Sequence, residues 1–391
     1  MRVFIIILIL SFSSCLAQSQ YSYSPKSQLY EVSGNENPLK IRIKAVLLQR
    51  DDGSGNYSKS RPQEFKIFQK FWKNALNNFQ NLKKPTNLDG CYTGFDFWPT
   101  ALIEFEDEII EVRNTYAWNS RNTGSDFEKN TIKGFTPSEN WYLKALDDSL
   151  SASENNPAIH VYFTNDGQTY DRIIQSKGKD FGTVRGIAAG QFPSLTNFKR
   201  SSQIHFPGIY PKYIYMKNQA PIEFNKSWEE HIQYWYLVDD AKGLTHEIGH
   251  NLGLSHANEH HGINKCPWTI MSQKHTDARN YLQPTEIQKI HRNLSNSNLI
   301  QFVTPDSHYG KTMKILNHTE WNQKRRYYHD FEVNRNINLT VSNHIILPSN
   351  GKITLNRNSK LIFEKNGGIY FPDGSEFNNY QLKGNAKIIR N

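Results

Sequence analysis

Thr245-His246-Glu247-Ile248-Gly249-His250-Asn251-Leu252-Gly253-Leu254-Ser255-His256 constrains this chain more than any other stretch. At about 100° per residue, His246 and His250 fall about 40° apart around a helix and one turn apart along it, so two imidazoles can share one metal. Glu247 is rotated by about 100° from His246, within reach of a water on that metal without being a ligand, as a general base must be. Gly253 is free to take positive φ, which ends the helix and turns the chain back so that His256 arrives as a third nitrogen ligand. Three protein ligands leave one coordination position for water, the mark of catalytic rather than structural zinc.

A bare His-Glu-x-x-His pattern arises by chance in many chains. Here a third histidine and a turning glycine fall at the required steps, and Met271 follows fifteen residues after His256. The neighbouring His260 and His261 read as solvated loop residues. The expected cofactor is therefore one catalytic Zn2+ held by His246, His250 and His256.

Composition limits the setting. Met1-Arg2 precedes an apolar run from Val3 to Leu10 and then Cys15-Leu16-Ala17 before polar Gln18, which reads as a signal peptide over 1–17. A lipoprotein reading with Cys15 as the modified residue is weaker, because Phe12 stands where leucine is usual. The expectation is a secreted, periplasmic or cell-surface protein. No later segment approaches the roughly 20 apolar residues of a membrane span. Beyond the leader only Cys91 and Cys266 remain, allowing a single disulfide. Cys91 as a latency thiolate is the rival reading, but Asp89-Gly90-Cys91-Tyr92 does not match the propeptide pattern. The formal charge of +9 is scattered, and its one cluster, Lys324-Arg325-Arg326 before Tyr327 and Tyr328, reads as a solvated linker, so nucleic acid is not an expected partner.

Along the chain, 18–38 is polar and aperiodic, a linker. Ile41, Ile43, Ala45 and Leu47 alternate as in a half-buried strand. Phe65, Phe68, Trp72, Leu76, Phe79 and Leu82 recur at helical steps after the start signals Ser60 and Pro62. Strands are expected over 101–105, 109–112, 158–163, 184–192 and 203–206, and helices over 141–146 and 228–238. The motif helix should run from about Asp240 to Leu252, capped by Asp239 or Asp240. This order implies an α+β domain over 39–300, a twisted mixed sheet packed on helices with the metal in a cleft.

The segment from His246 to His256 resembles the extended zinc signature of the metzincins, nearest the pappalysin and matrixin groups. Thr269-Ile270-Met271-Ser272 is similar to their Met-turn, whose methionine lies beneath the zinc ligands. Gly186 to Ala189, Gln203 to Phe206, and Leu282 to Ile290 resemble the edge strand, the strand after it and the closing helix of those groups. Gln273 stands where astacin-like members carry a tyrosine ligand, and no recognisable prodomain precedes the first strand. The resemblance implies peptide-bond hydrolysis of protein or peptide substrates, with an extended substrate paired to the edge strand near 184–191.

After a second linker over 301–332, the segment 333–391 has a repeat of its own. Ile337, Ile345, Ile353, Leu361, Ile369 and Phe377 recur every eight residues, with Leu339, Leu347, Leu355, Phe363 and Phe371 two places after the first five. Asn, Ser, Asp and Gly fall between them, so short strand and turn alternate. A small all-β tail follows, a β-solenoid or an antiparallel meander. It reads as a structural cap or spacer, with surface or glycan contact as its functional alternative. Of two whole-chain readings, secreted endopeptidase or surface-binding protein with an inactive metzincin-like domain, the presence of Glu247 favours the enzyme.

Overall fold

The computed structural model describes residues 34–82, 103–118, 141–164, 187–189, 202–205, 209–211, 213–214, 217, 237–238, 240–256, 269–272 and 281–391. The expected leader, Cys91, Cys266, His260, His261 and most of the 228–238 helix lie outside them.

The first strand, β1 (Leu39–Gln49), is central to the sheet and to the core. Its alternate residues Leu39, Ile41, Ile43, Ala45 and Leu47 are fully buried on one face, against Phe68, Phe71, Trp72 and Ala75 of helix α1 (Pro62–Gln80). Pro62 starts that helix, where a missing N–H costs nothing. On the opposite face, Val46 and Leu48 pack with Tyr162 and with Ala117 and Trp118 of α2 (Thr115–Trp118). Leu146 and Leu150 of α3 (Trp141–Ser153) pack against that cluster. Both faces of β1 are therefore covered.

Strand β2 (Ile103–Arg113) runs parallel to β1 in unbroken register, from Leu39 beside Ile103 to Gln49 beside Arg113. The sequence expectation of two strands, at 101–105 and 109–112, is corrected: Glu106, Asp107 and Glu108 continue one strand. They are exposed on an outer strand of the sheet, where charge is tolerated and discourages further pairing. Asp107 also accepts a hydrogen bond from the Trp72 indole N–H at 2.8 Å. Strands β3 (Ile159–Phe163), β4 (Ile187–Ala189) and β5 (Ser202–His205) complete a sheet of order β2-β1-β3-β5-β4. Only β4 is antiparallel to its neighbour. The α+β expectation thus gives way to an α/β arrangement of mixed helices and parallel strands. Parallel neighbours require crossovers, and the helical segments between β1 and β2 and between β2 and β3 supply them.

Helix α4 (Ala241–Asn251) carries the histidine motif and lies against α1, β4 and β5. Asp240 does not cap it, because its backbone is already helical and its carboxylate makes no capping bond. Helix α5 (Pro284–Asn296) follows, opened by a reciprocal capping box between Gln283 and Glu286. Among the described residues, no helix is long and apolar enough to cross a membrane.

Residues 301–332 are not a linker. After a short 3-10 turn (Asn298–Phe302), strands β6 (Thr312–Ile315), β7 (Thr319–Trp321), β8 (Arg325–Arg326) and β9 (Asp330–Val333) already belong to the final segment. They continue into β10 (Asn338–Val341), β11 (His344–Ile346), β12 (Ile353–Leu355), β13 (Lys360–Phe363), β14 (Gly368–Tyr370), β15 (Tyr380–Leu382) and β16 (Lys387–Arg390). Each strand pairs with the third one on, always in parallel, giving three sheets: β16-β13-β10-β7, β14-β11-β8 and β15-β12-β9-β6. A meander would pair consecutive strands antiparallel; this pattern is a three-sided coil. The eight-residue step is one side of it, while Leu339 stands beside Leu361 and Ile345 beside Ile369 in the next turn of the coil. Asparagine marks the corners because it tolerates left-handed backbone and can bond between turns. Asn336 and Asn358 have φ of 63° and 59°, and the Asn358 amide donates to the Asn336 side-chain oxygen at 3.1 Å.

The expectation that the basic cluster is solvated fails at Arg326, Tyr327 and Tyr328, which are buried. The Arg326 guanidinium donates to the carbonyl oxygens of Val303 (3.0 Å), Thr304 (2.8 Å) and Pro305 (3.1 Å), with Ile300 O at 3.4 Å. The Tyr328 hydroxyl donates to Leu294 O at 2.5 Å, and Ser295 Oγ donates to Arg326 O at 2.7 Å. The last two bonds tie the base of the coil to α5, and those of Arg326 tie it to the segment that follows α5.

Candidate metal centre

The helix that carries the motif ends as its glycine predicts. Gly253 has φ of +88°, its N–H donates to His250 O at 2.9 Å, and the Leu254 N–H reaches back to Gly249 O at 3.0 Å. This double closure is a Schellman turn, which satisfies two terminal carbonyls and reverses the chain. Leu254 is buried, and the turn delivers His256 to the two helical histidines.

One ligand-capable nitrogen from each of His246, His250 and His256 lies within 4.8 Å of the others, and among the described residues no second group of this kind occurs. The Nε2 atoms of His246 and His250 are 3.1 Å apart. Their rings stand at 90°, while the His256 ring lies 4.5 Å from His250 and 5.2 Å from His246, centroid to centroid.

The tautomers of the two helical rings follow from their partners. His246 Nδ1 is 2.8 Å from Ile270 O, and His250 Nδ1 is 2.8 Å from Leu254 O. A peptide carbonyl only accepts, so each Nδ1 carries the proton. In the neutral rings both Nε2 atoms then present lone pairs to each other, a repulsive approach that a cation between them turns into ligation. Zinc at about 2.0 to 2.1 Å from each nitrogen, in tetrahedral geometry, puts the two nitrogens about 3.3 Å apart, close to the separation seen. Burial lowers the pKa of His250, the Leu254 carbonyl opposing and His256 reinforcing it, and burial also lowers that of His256. Both shifts favour the neutral imidazole, which is the form that binds metal. The donor set fits zinc.

Glu247 is half-buried on the same helix, rotated away from the ligand face. Thr245 fixes the helix from behind: its hydroxyl lies 2.9 Å from Ala75 O and 2.8 Å from Ala241 O, and it accepts from the Asn78 amide at 2.9 Å. Met271 is fully buried in a turn in which Ser272 N–H donates to Thr269 O and the Thr269 hydroxyl accepts from Met271 N–H, both at 3.0 Å. The same turn presents Ile270 O to His246.

Four participants escaped the sequence reading. Gly249 touches the Met271 thioether; its signal was a glycine inside a helix, which costs about 1 kcal/mol relative to alanine and so marks close packing. The Ile270 and Leu254 carbonyls are backbone groups with no residue-type signal. Asn293, whose amide donates to Leu252 O at 3.1 Å, gives no local pattern at all.

No protein-family model matches the chain, and no curated protein matches it. Among solved structures the chain is similar to archaemetzincin from Methanopyrus kandleri, at 13% identity and a TM-score of 0.31, over 65% of this chain and 96% of that one. A likeness of that degree carries no argument, and the reading of the site rests on its own geometry.

Proposed function

We propose that the chain is a zinc-dependent endopeptidase of metzincin type, with His246, His250 and His256 as ligands, Glu247 as general base and Met271 as the apolar floor. The observation that supports this most directly is the pair of ring tautomers: two backbone carbonyls hold protons on Nδ1 and leave converging lone pairs on Nε2. Such outer partners orient metal-ligating histidines and raise their basicity. When bound, zinc supplies a Lewis acid for the scissile carbonyl and lowers the pKa of a water to about 7.

The remaining chemistry belongs to the chain. The Glu247 carboxylate accepts a proton from the attacking water and passes it to the leaving nitrogen as the amide bond breaks. Strand β4, antiparallel at the end of the sheet beside α4, offers main-chain groups to an extended peptide. A surface-binding protein with a dead site would use neither the tautomers nor Glu247.

The test is zinc content of the purified protein beside cleavage of a peptide library. One zinc per chain, lost in His250→Ala, with chelator-sensitive cleavage, is the expected result; no zinc uptake by the wild type would end the proposal.

A further inference from the structure

The peptide unit joining Leu252 to Gly253 is held at both ends. Its N–H donates to His250 O at 2.9 Å, within the helix terminus. Its C=O, one of the last carbonyls of the helix and without an intrahelical donor, accepts from the Asn293 amide of α5 at 3.1 Å. Rotation of this one peptide plane changes φ of Gly253, now +88°, and with it the path of the three residues that lead to His256. The Leu254 carbonyl that fixes the His250 tautomer lies on the same path.

Asn293 is itself held. It is almost fully buried, and its own carbonyl accepts from Ser297 N–H at 3.1 Å and Ser297 Oγ at 2.6 Å. The two residues that follow Asn293 are braced from the coil: Leu294 O receives the Tyr328 hydroxyl and Ser295 Oγ donates to Arg326 O.

We infer that Asn293 is a positioning residue for the third histidine: by fixing the Leu252 carbonyl it locks the Gly253 turn, and the base of the β-coil holds α5 so that it can do so. The inference rests on the zinc reading for its consequence in metal affinity, but its structural half stands without metal. The C-terminal coil then serves the metal centre as a brace.

Two measurements on the full chain test this with Asn293→Leu, which keeps the side-chain volume and removes the donor. The first is amide hydrogen exchange of the metal-free protein. Exchange at Gly253 and Leu254 should rise at least tenfold while exchange in β1 and β3 is unchanged; equal rates at Gly253 and Leu254 in variant and wild type would overturn the inference. The second is zinc affinity by chelator competition, alone and in a His256→Ala background. Outer-sphere support of a ligand is worth about tenfold or more in affinity. Asn293→Leu should weaken binding by about that factor when His256 is present and have little effect when it is absent. An equal loss in both backgrounds would mean that Asn293 does not act through His256. If the wild type takes up no zinc, the enzymatic reading falls, while the exchange measurement still decides the role of Asn293.

Discussion

Gly249 and Met271 are in direct contact: a β-carbon at Gly249 would collide with the Met271 Sδ atom and stand 3.2 Å from its Cε. The helix bearing the histidines and the turn beneath them can approach this closely only because residue 249 has no side chain. Gly249→Ala gains in helix propensity but overpacks the interface, at a net cost of about 1 to 3 kcal/mol. Since the obstacle is the thioether, Met271→Ala should relieve it. Chemical denaturation of the single and double variants should show the pair to be less destabilised than the sum of the singles by about 1 kcal/mol or more. Strict additivity would place the strain elsewhere.

Arg326 provides a second expectation. Its guanidinium is buried with carbonyl oxygens from the segment that follows α5, and burial lowers its pKa. Lysine cannot fork between several acceptors. Arg326→Lys should lose about 2 to 3 kcal/mol through unpaired buried carbonyls, and Arg326→Met at least as much. A denaturation midpoint unchanged in both variants would show that the coil is not fastened there.

Stability should peak near pH 6.5. Burial holds His291 and His329 down to about 4, against the pull of Glu36 in both cases and with His308 and Lys311 lowering His329 further. Their folded pKa values lie below the unfolded value of about 6.5, so stability falls as pH drops from 6.5 towards 4. Glu286 acts oppositely over part of this range: burial raises it to about 7 against the Gln283 N–H, so its contribution is lost as pH rises from about 4.5 to 7. Two histidines outweigh one carboxyl. Above 6.5 the slope reverses. Burial lowers the pKa of His160, but hydrogen bonds to Asp147 at 2.8 Å and Glu154 at 3.1 Å outweigh it and raise it to about 9. Its contribution is complete below 6.5 and lost as pH rises through 9. Denaturant midpoints across pH 4 to 9 check the profile, and in His160→Gln the alkaline loss should flatten. A monotonic rise to pH 9 in the wild type would contradict this balance.

The convergence of the three histidines was legible because helical geometry converts sequence spacing into spatial proximity: His246 and His250 need only one turn, and Gly253 signals the reversal that brings His256 back. That Asp240 would fail to cap α4 was not legible, since residue type does not show that its own backbone is already helical. Likewise β2 reads as two strands because Glu106, Asp107 and Glu108 break the apolar alternation. An outer strand tolerates them, and full pairing with β1 keeps it whole. In the tail, the eight-residue step fixed strand and turn but not partner, because Ile345 is equally apolar whether Ile353 or Ile369 lies beside it; parallel stacking at one full coil decides the matter. Arg326 reads as solvated by type, and only the four carbonyls around it explain its burial. Asn293 had no signal, since its partner is a backbone oxygen forty-one residues away.

The central claim is that His246, His250 and His256 hold zinc while Glu247 performs the proton transfers. Removing Glu247 separates the two roles, and the decisive measurement is zinc content and peptide cleavage of purified Glu247→Ala beside wild type. The account predicts one zinc per chain in both and a loss of cleavage by a factor of at least about 10² to 10⁴ in the variant, the typical contribution of a general base. Wild-type cleavage rates in Glu247→Ala would contradict it.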